Sequence, residues 1–361
     1  MNKQNIPTLL PLDEGYFPRI WGGRRLEKLY GKPLPESESE TIGEAWLVSD
    51  HPQHESIVMD GPRKGETLRS LLEEDARYIL GSHAQLTVNG RFPLLLKLLD
   101  AQDVLSVQVH PDDECAKRLG EPDVGKTEMW HVLHADPGSE LICGLDPEVT
   151  AEQLEELVAD GSALERAMRH LPVNPGDSAF LPAGTVHAIG AGLVLAEIQQ
   201  NSDVTYRLYD WGRVQADGTP RELHIDKARE AIHFGEDHPG LAKPVTLQAE
   251  GGERQIHAAS SYFAAERMDL SGGMSRTTGG TSFHIVLALS GRLMVSAEGA
   301  SLTLPPGRAV LIPGGAGAYT VEGHGGYLDY YVPDLETDIV KPTRQEGYTD
   351  EDLRALNPRL V

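Results

Sequence analysis

One short pattern occurs twice in this chain. Residues 174–187 read NPGDSAFLPAGTVH and residues 304–318 read LPPGRAVLIPGGAGA. When Gly176 is set on Gly307, a proline falls six residues on in both (Pro182, Pro313) and a glycine eight on in both (Gly184, Gly315). The residues between are apolar in step: Ala179, Phe180 and Leu181 against Val310, Leu311 and Ile312. A turn glycine, a short buried strand and a Pro-x-Gly turn predict a β-hairpin unit used twice, and hence a duplicated β-fold. Further β-type runs at residues 42–48, 105–109, 193–198, 284–289 and 327–332, set off by 38 glycines and 24 prolines, extend this to a sandwich or barrel. Helical spacing is confined to the first two-thirds: residues 67–80 before Gly81, residues 111–119 with Lys117 and Arg118 in the last turn, and one or two helices over 150–171.

The two copies differ where chemistry would lie. Eleven residues past the aligned glycine, the first has His187 and the second Ala318. The acidic, Pro- and Gly-containing stretch 235–251 is the expected boundary. Residues 1–240 are therefore expected to form the catalytic domain, with helical insertions near 67–80 and 146–171, and residues 241–361 a metal-free sister domain with a short acidic tail. A chain of 361 residues suits two such domains. Its 32 basic and 55 acidic residues leave a net charge of −23, which argues against nucleic-acid and anionic-membrane partners. No long apolar run predicts a membrane span and the first thirty residues lack a signal-peptide core, so the expectation is a cytoplasmic protein. Two cysteines, Cys115 and Cys143, fit a reducing compartment.

The chemistry-bearing residues come in three short pieces. In the run from Leu105 to Pro111, strand alternation puts Gln108 and His110 on one face, at a strand end closed by Pro111. Alternation likewise pairs Lys126 with Glu128. His187 follows the Pro-Ala-Gly turn. Gln108, His110, Glu128 and His187 together offer two imidazole nitrogens, a carboxylate and an amide oxygen, a set that suits one Zn²⁺, with Mn²⁺, Fe²⁺ or Co²⁺ as alternatives. Any one of these residues alone reads as an ordinary surface or core side chain; their convergence carries the argument. His51, His54, His83, His170, His224 and His324 have no such company and are read as surface residues.

These pieces also carry a resemblance. Ile20-Trp21-Gly22-Gly23, Gly43-Glu44-Ala45-Trp46, the stretch from Phe92 to Ala101, Gln108-Val109-His110-Pro111, Gly125-Lys126-Thr127-Glu128-Met129-Trp130, Pro182-Ala183-Gly184-Thr185-Val186-His187 and Tyr206-Arg207-Leu208-Tyr209-Asp210 occur in order. In this the chain resembles the class I mannose-6-phosphate isomerases (phosphomannose isomerases), in their short bacterial bicupin form. The resemblance implies a mainly β fold of two cupin domains (double-stranded β-helix, jelly roll) with inserted helices. It implies zinc on Gln108, His110, Glu128 and His187, a catalytic or substrate-clamping Arg207, and an active-site Lys126. His131 departs from it, standing where a tyrosine is common.

The implied activity is the interconversion of mannose 6-phosphate and fructose 6-phosphate by proton transfer between C1 and C2 through an enediol. That needs a base which takes and returns the proton, and positive charge beside O1 and O2. Glu197, a carboxyl in the apolar run 192–198, is the expected base, because burial raises its proton affinity; Lys126 is the alternative shuttle. Ser106, Lys126 and Arg207 are the expected substrate and phosphate donors. Lys97, in an apolar strand, is a further candidate donor, with a buried structural ion pair to Asp100 or Glu44 as the favoured reading. Trp21 and Trp46 are expected in the core. The alternatives are a bicupin metal dioxygenase, which Gln108 as a fourth ligand disfavours, and a non-catalytic sugar-phosphate-binding bicupin. A monomer is the expected state.

Overall fold

The repeated segment folds alike in both copies. Ser178–Leu181 and Ala309–Ile312 are strands, and the glycine before each is left-handed, Gly176 at φ +99° and Gly307 at φ +75°. The matched second glycines serve different ends. Gly184 sits at φ +89°, a conformation that costs a side-chain-bearing residue. Gly315 instead lies against the ring of Tyr78, where a Cβ would come within 2.3 Å. Neither copy closes a hairpin, contrary to expectation. Ser178–Leu181 pairs with Glu128–Ala135, whereas the strand beyond the turn, His187–Ile189, joins another sheet. In the first copy the Pro-x-Gly turn thus hands the chain from one sheet to another, whereas in the second Ala309–Ile312 and Ala318–Tyr331 stay in one sheet with His284–Ala288 between them.

The structure is a computed structural model that describes residues 6–35, 37, 41–215, 217–236, 240–249 and 251–361. Residues 237–239 and 250 of the expected boundary stretch lie outside the described residues. The chain divides into two compact units, one of Tyr16–Ala45 with Lys97–Leu241, the other of the residues up to Gly15, Trp46–Leu96 and Ala242–Val361. The helix Leu68–Leu80, counted above as an insertion in the first domain, belongs to the unit that contains the C-terminal residues. Its Thr67 cap accepts from the Ser70 amide.

In the first unit a five-stranded sheet runs in the order Met168–Pro172, Glu140–Leu145, His187–Ile189, Val107–Val109, Tyr206–Tyr209. A six-stranded sheet runs Ser178–Leu181, Glu128–Ala135, Leu193–Gln200, Leu94–Ala101, Ile42–Val48, Gly15–Gly23. Trp130, Val132 and Leu195 of the larger sheet pack on Leu141, Cys143 and Ile189 of the smaller, so apolar side chains fill the space between them. Short helices carrying Leu154, Leu164 and Ala228 cover the other face of the smaller sheet. The second unit has one nine-stranded sheet.

Three local expectations change. Residues 150–171 give two short helices, Leu154–Ala159 and Gly161–Arg166, and then a strand, because Asp160 and Gly161 break the helix and His170 pairs opposite Ile142. Helices Arg25–Tyr30 and Ile225–Ala231 carried no sequence signal strong enough to name. The acidic tail is folded: Asp350–Leu356 is a helix capped reciprocally by Thr349 and Asp352, and it buries Leu353 and Leu356 against Val245, Leu247 and Ile256. Trp21 and Trp46 are buried as expected, and so is His51, which was read as a surface residue.

Candidate metal centre

Strand register places the site. Gln108 lies opposite His187 on one neighbouring strand and opposite Arg207 on the other, so these three form a row across the smaller sheet. Glu128 begins its strand in the larger sheet, between Leu181 and Gln199. His110 follows directly on Val107–Val109. The donor atoms of His110, Glu128 and His187 lie within 4.8 Å of one another, and all three residues are buried. Gln108 Nε2 is 3.4 Å from His187 Nε2, and half a turn of the amide presents its oxygen instead.

Backbone carbonyls fix the imidazoles. His110 Nδ1 donates to the Val204 carbonyl at 2.8 Å, and His187 Nδ1 to the Thr185 carbonyl at 2.9 Å. A carbonyl only accepts, so Nδ1 holds the proton in each ring and the Nε2 lone pairs face the cluster. Burial, reinforced by the positive charge of Lys126, keeps His110 well below the usual histidine range. Burial brings His187 down to about 4. Both are neutral at pH 7, the state a ligand needs.

Glu128 supplies the test of fit. Both of its carboxylate oxygens are buried; Oε1 accepts no hydrogen bond among the described residues, while Oε2 pairs with the Lys126 ammonium. They face His187 Nε2 at 3.2 Å and Lys126 Nζ at 3.1 Å. Buried oxygens are almost always satisfied, and a carboxylate with one unsatisfied oxygen opposite two imidazole lone pairs fits a divalent cation in a nitrogen/oxygen cage.

Cations and carboxylates surround this cage. Lys126 Nζ donates to His110 Nε2 at 3.2 Å. Burial pulls its pKa down, but Glu128, Glu197 and Asp203 overrule this and hold the ammonium well above its ordinary value. Arg207 donates from Nε to Ser106 Oγ at 3.3 Å, and Ser106 donates to Gln108 Oε1 at 3.3 Å, so Arg207, Ser106 and Gln108 form one hydrogen-bonded chain. Glu197 is buried and stands opposite Trp130. Trp130 Nε1 donates to its Oε2 at 3.0 Å, and Lys97 Nζ lies 3.4 Å from its Oε1. Burial first, then the charge of Glu128, raises the Glu197 pKa against the pull of Lys97 and Lys126.

All eight expected site residues therefore fall in this neighbourhood. Lys97 pairs with Glu44, at 3.6 Å, and with Glu197, but not with Asp100. Sequence reasoning passed over Trp130, whose ring stands edge-on to His187 with centroids 5.3 Å apart. It also passed over His224, whose Nδ1 accepts from the Arg207 amide. The Val204 and Thr185 carbonyls leave no trace in residue identity. His131 bonds Ser178 at 2.8 Å, one residue out of step with Glu128 and Trp130.

Residues 9–154 match the family described as phosphomannose isomerase type I, catalytic domain, and residues 253–332 the mannose-6-phosphate isomerase cupin domain. The mannose-6-phosphate isomerase of Streptococcus mutans is 37% identical over 84% of this chain and 92% of its own. The chain belongs to the mannose-6-phosphate isomerase family. Another relative, mannose-6-phosphate isomerase ManA of Bacillus subtilis, is 37% identical over 85% of this chain and 93% of its own. The crystal structure of a mannose 6-phosphate isomerase from Bacillus subtilis superposes with a TM-score of 0.81 at 32% identity, covering 90% of this chain and 99% of that one. Phosphomannose isomerase of Salmonella typhimurium, 20% identical in one structure with a TM-score of 0.73, shares the fold. The mainly β, two-cupin architecture is that of the family.

Proposed function

We propose that the protein interconverts D-mannose 6-phosphate and D-fructose 6-phosphate, with one divalent cation, zinc in our reading, held by Gln108, His110, Glu128 and His187. The observation that carries this is the buried Glu128 carboxylate, its Oε1 without a hydrogen bond, facing the imidazole lone pairs of His110 and His187 in a chain of this family. Family membership favours the isomerase over the dioxygenase and binding-only alternatives. A cation bound there supplies positive charge beside the sugar oxygens that become negative. Arg207, fixed by Ser106 and by the Glu222 carbonyl, clamps the substrate and steadies the same developing charge. Lys126 stays protonated at neutral pH, which suits it to binding the phosphate or donating to an oxygen rather than to acting as a base. Ser106 is a further substrate donor. Glu197 carries the proton between C1 and C2, its raised pKa suiting both directions of transfer. Lys97 and Trp130 hold its two oxygens.

We assign the catalytic work to residues 1–240 and read residues 241–361 as a sister cupin without a metal site, in a monomeric, cytoplasmic enzyme. No helix among the described residues is long and apolar enough to cross a membrane. The decisive experiment is metal analysis of the purified protein together with an assay of mannose 6-phosphate against fructose 6-phosphate. Stoichiometric metal with interconversion is expected. Folded protein that carries no metal and turns over neither sugar refutes the reading.

A further inference from the structure

The two copies can be laid on one another residue by residue through their strand registers. In the first, Leu181 stands opposite Glu128; in the second, the equivalent Ile312 stands opposite His284. On the other side Glu197 faces Trp130, two residues past Glu128, and Asp329 faces Val286, two residues past His284. His284 and Asp329 thus hold the places of the metal-facing Glu128 and of the buried Glu197. Asp329 is fully buried. Its oxygens take hydrogen bonds from His284 Nδ1 at 2.8 Å and from the Tyr319 hydroxyl at 2.8 Å. The second domain has therefore kept a polar interior at the position where the first gathers its ligands.

Into that interior comes a guanidinium. Arg276 NH2 lies 3.0 Å from Asp329 Oδ2 and 2.9 Å from Oε2 of Glu266, a carboxylate that is also fully buried. The Arg276 side chain is 10% exposed. Arg254 and the Tyr331 hydroxyl satisfy the rest of Glu266. One nitrogen bridging two buried carboxylates does the work of an ion: it neutralises charge that water cannot reach, and it fixes the strands that carry it.

We infer that Arg276 is the resident cation of the second domain, holding Glu266 and Asp329 together where the duplicated fold offers the first domain a metal site. This inference needs only the register and the buried network, and it stands whether or not the isomerase reading does. Compensated buried charge becomes costly once one partner is removed. In the full-length protein Arg276→Ala should lower the thermal midpoint by about 10 °C and speed amide exchange in residues 264–277 and 318–331. Millimolar guanidinium, far below denaturing levels, should restore much of both, while sodium at equal ionic strength should not. Stripping metal from the native protein with a chelator should leave exchange in those segments unchanged. Arg276→Lys, which keeps the charge, should lose less than Arg276→Met, which keeps the bulk, and this comparison decides the matter if Arg276→Ala does not fold. Native-like stability of Arg276→Ala, loss that guanidinium cannot repair, or equal loss in the Lys and Met variants overturns the inference.

Discussion

At the centre of the site each residue is neutral or charged for a reason visible in its neighbours. His110 and His187 are neutral because burial outweighs their Nδ1 hydrogen bonds to carbonyls, which by themselves favour the charged ring and here fix the tautomer. Removing one such ligand should cost more than the roughly 10–100-fold that loss of an outer partner costs. His110→Ala is therefore expected to abolish stoichiometric metal and turnover together; metal analysis and a coupled assay on one preparation check this. Glu197→Gln keeps the shape and the Trp130 contact but cannot shuttle a proton. It should retain metal yet lose about 10²–10⁴-fold in deuterium exchange at C2 of the substrate, read by NMR, and unchanged exchange would clear Glu197 of the role. Lys97 neutralises two buried carboxylates at once. Lys97→Met should destabilise the protein by about 3–5 kcal/mol in urea unfolding, as when a buried pair loses one partner.

At the scale of elements, the strands were readable because they alternate, and several helices were not because they are short. Gln108 with His110 and Lys126 with Glu128 share faces simply through the twofold period of a strand. The six-residue helix Arg25–Tyr30 shows too little of a 3.6-residue period to declare itself. The C-terminal acids hid a helix for a different reason. Asp350, Glu351 and Asp352 look like a solvated tail in composition, yet they stand in the first turn, where the helix dipole favours them, and Leu353 and Leu356 anchor the inner face. Leu353→Ala should thus cost about 2–5 kcal/mol, the range for a buried leucine, whereas a loose tail would show no change in the denaturation midpoint.

For the whole molecule, acid sensitivity follows from histidines buried in the neutral state. His257 lies in the second unit, 3% exposed, and burial, then the charge of Arg267, brings it down to about 4. Unfolded, it regains an ordinary value near 6.5, so between these values the unfolded chain binds the extra proton. The stability this group contributes is fully present above about pH 6.5 and is lost as the pH falls through about 4, amounting to about 3 kcal/mol. His257→Leu should flatten that limb of the stability–pH curve measured by denaturant titration; an unaltered limb would place the acid sensitivity elsewhere.

By itself the sequence determined the residue types, the alternation that aligned them in pairs, and the glycines and prolines that set a duplicated β-fold, because these depend on a few bonds of neighbouring backbone. Only tertiary structure decided which sheet each strand joined, that His187 comes to rest opposite Gln108, that Lys97 chooses Glu197 over Asp100, and that an arginine fills the interior of the second copy. Those outcomes depend on closing long stretches of chain and on which charges are shut away from water. Neither is written in any local period.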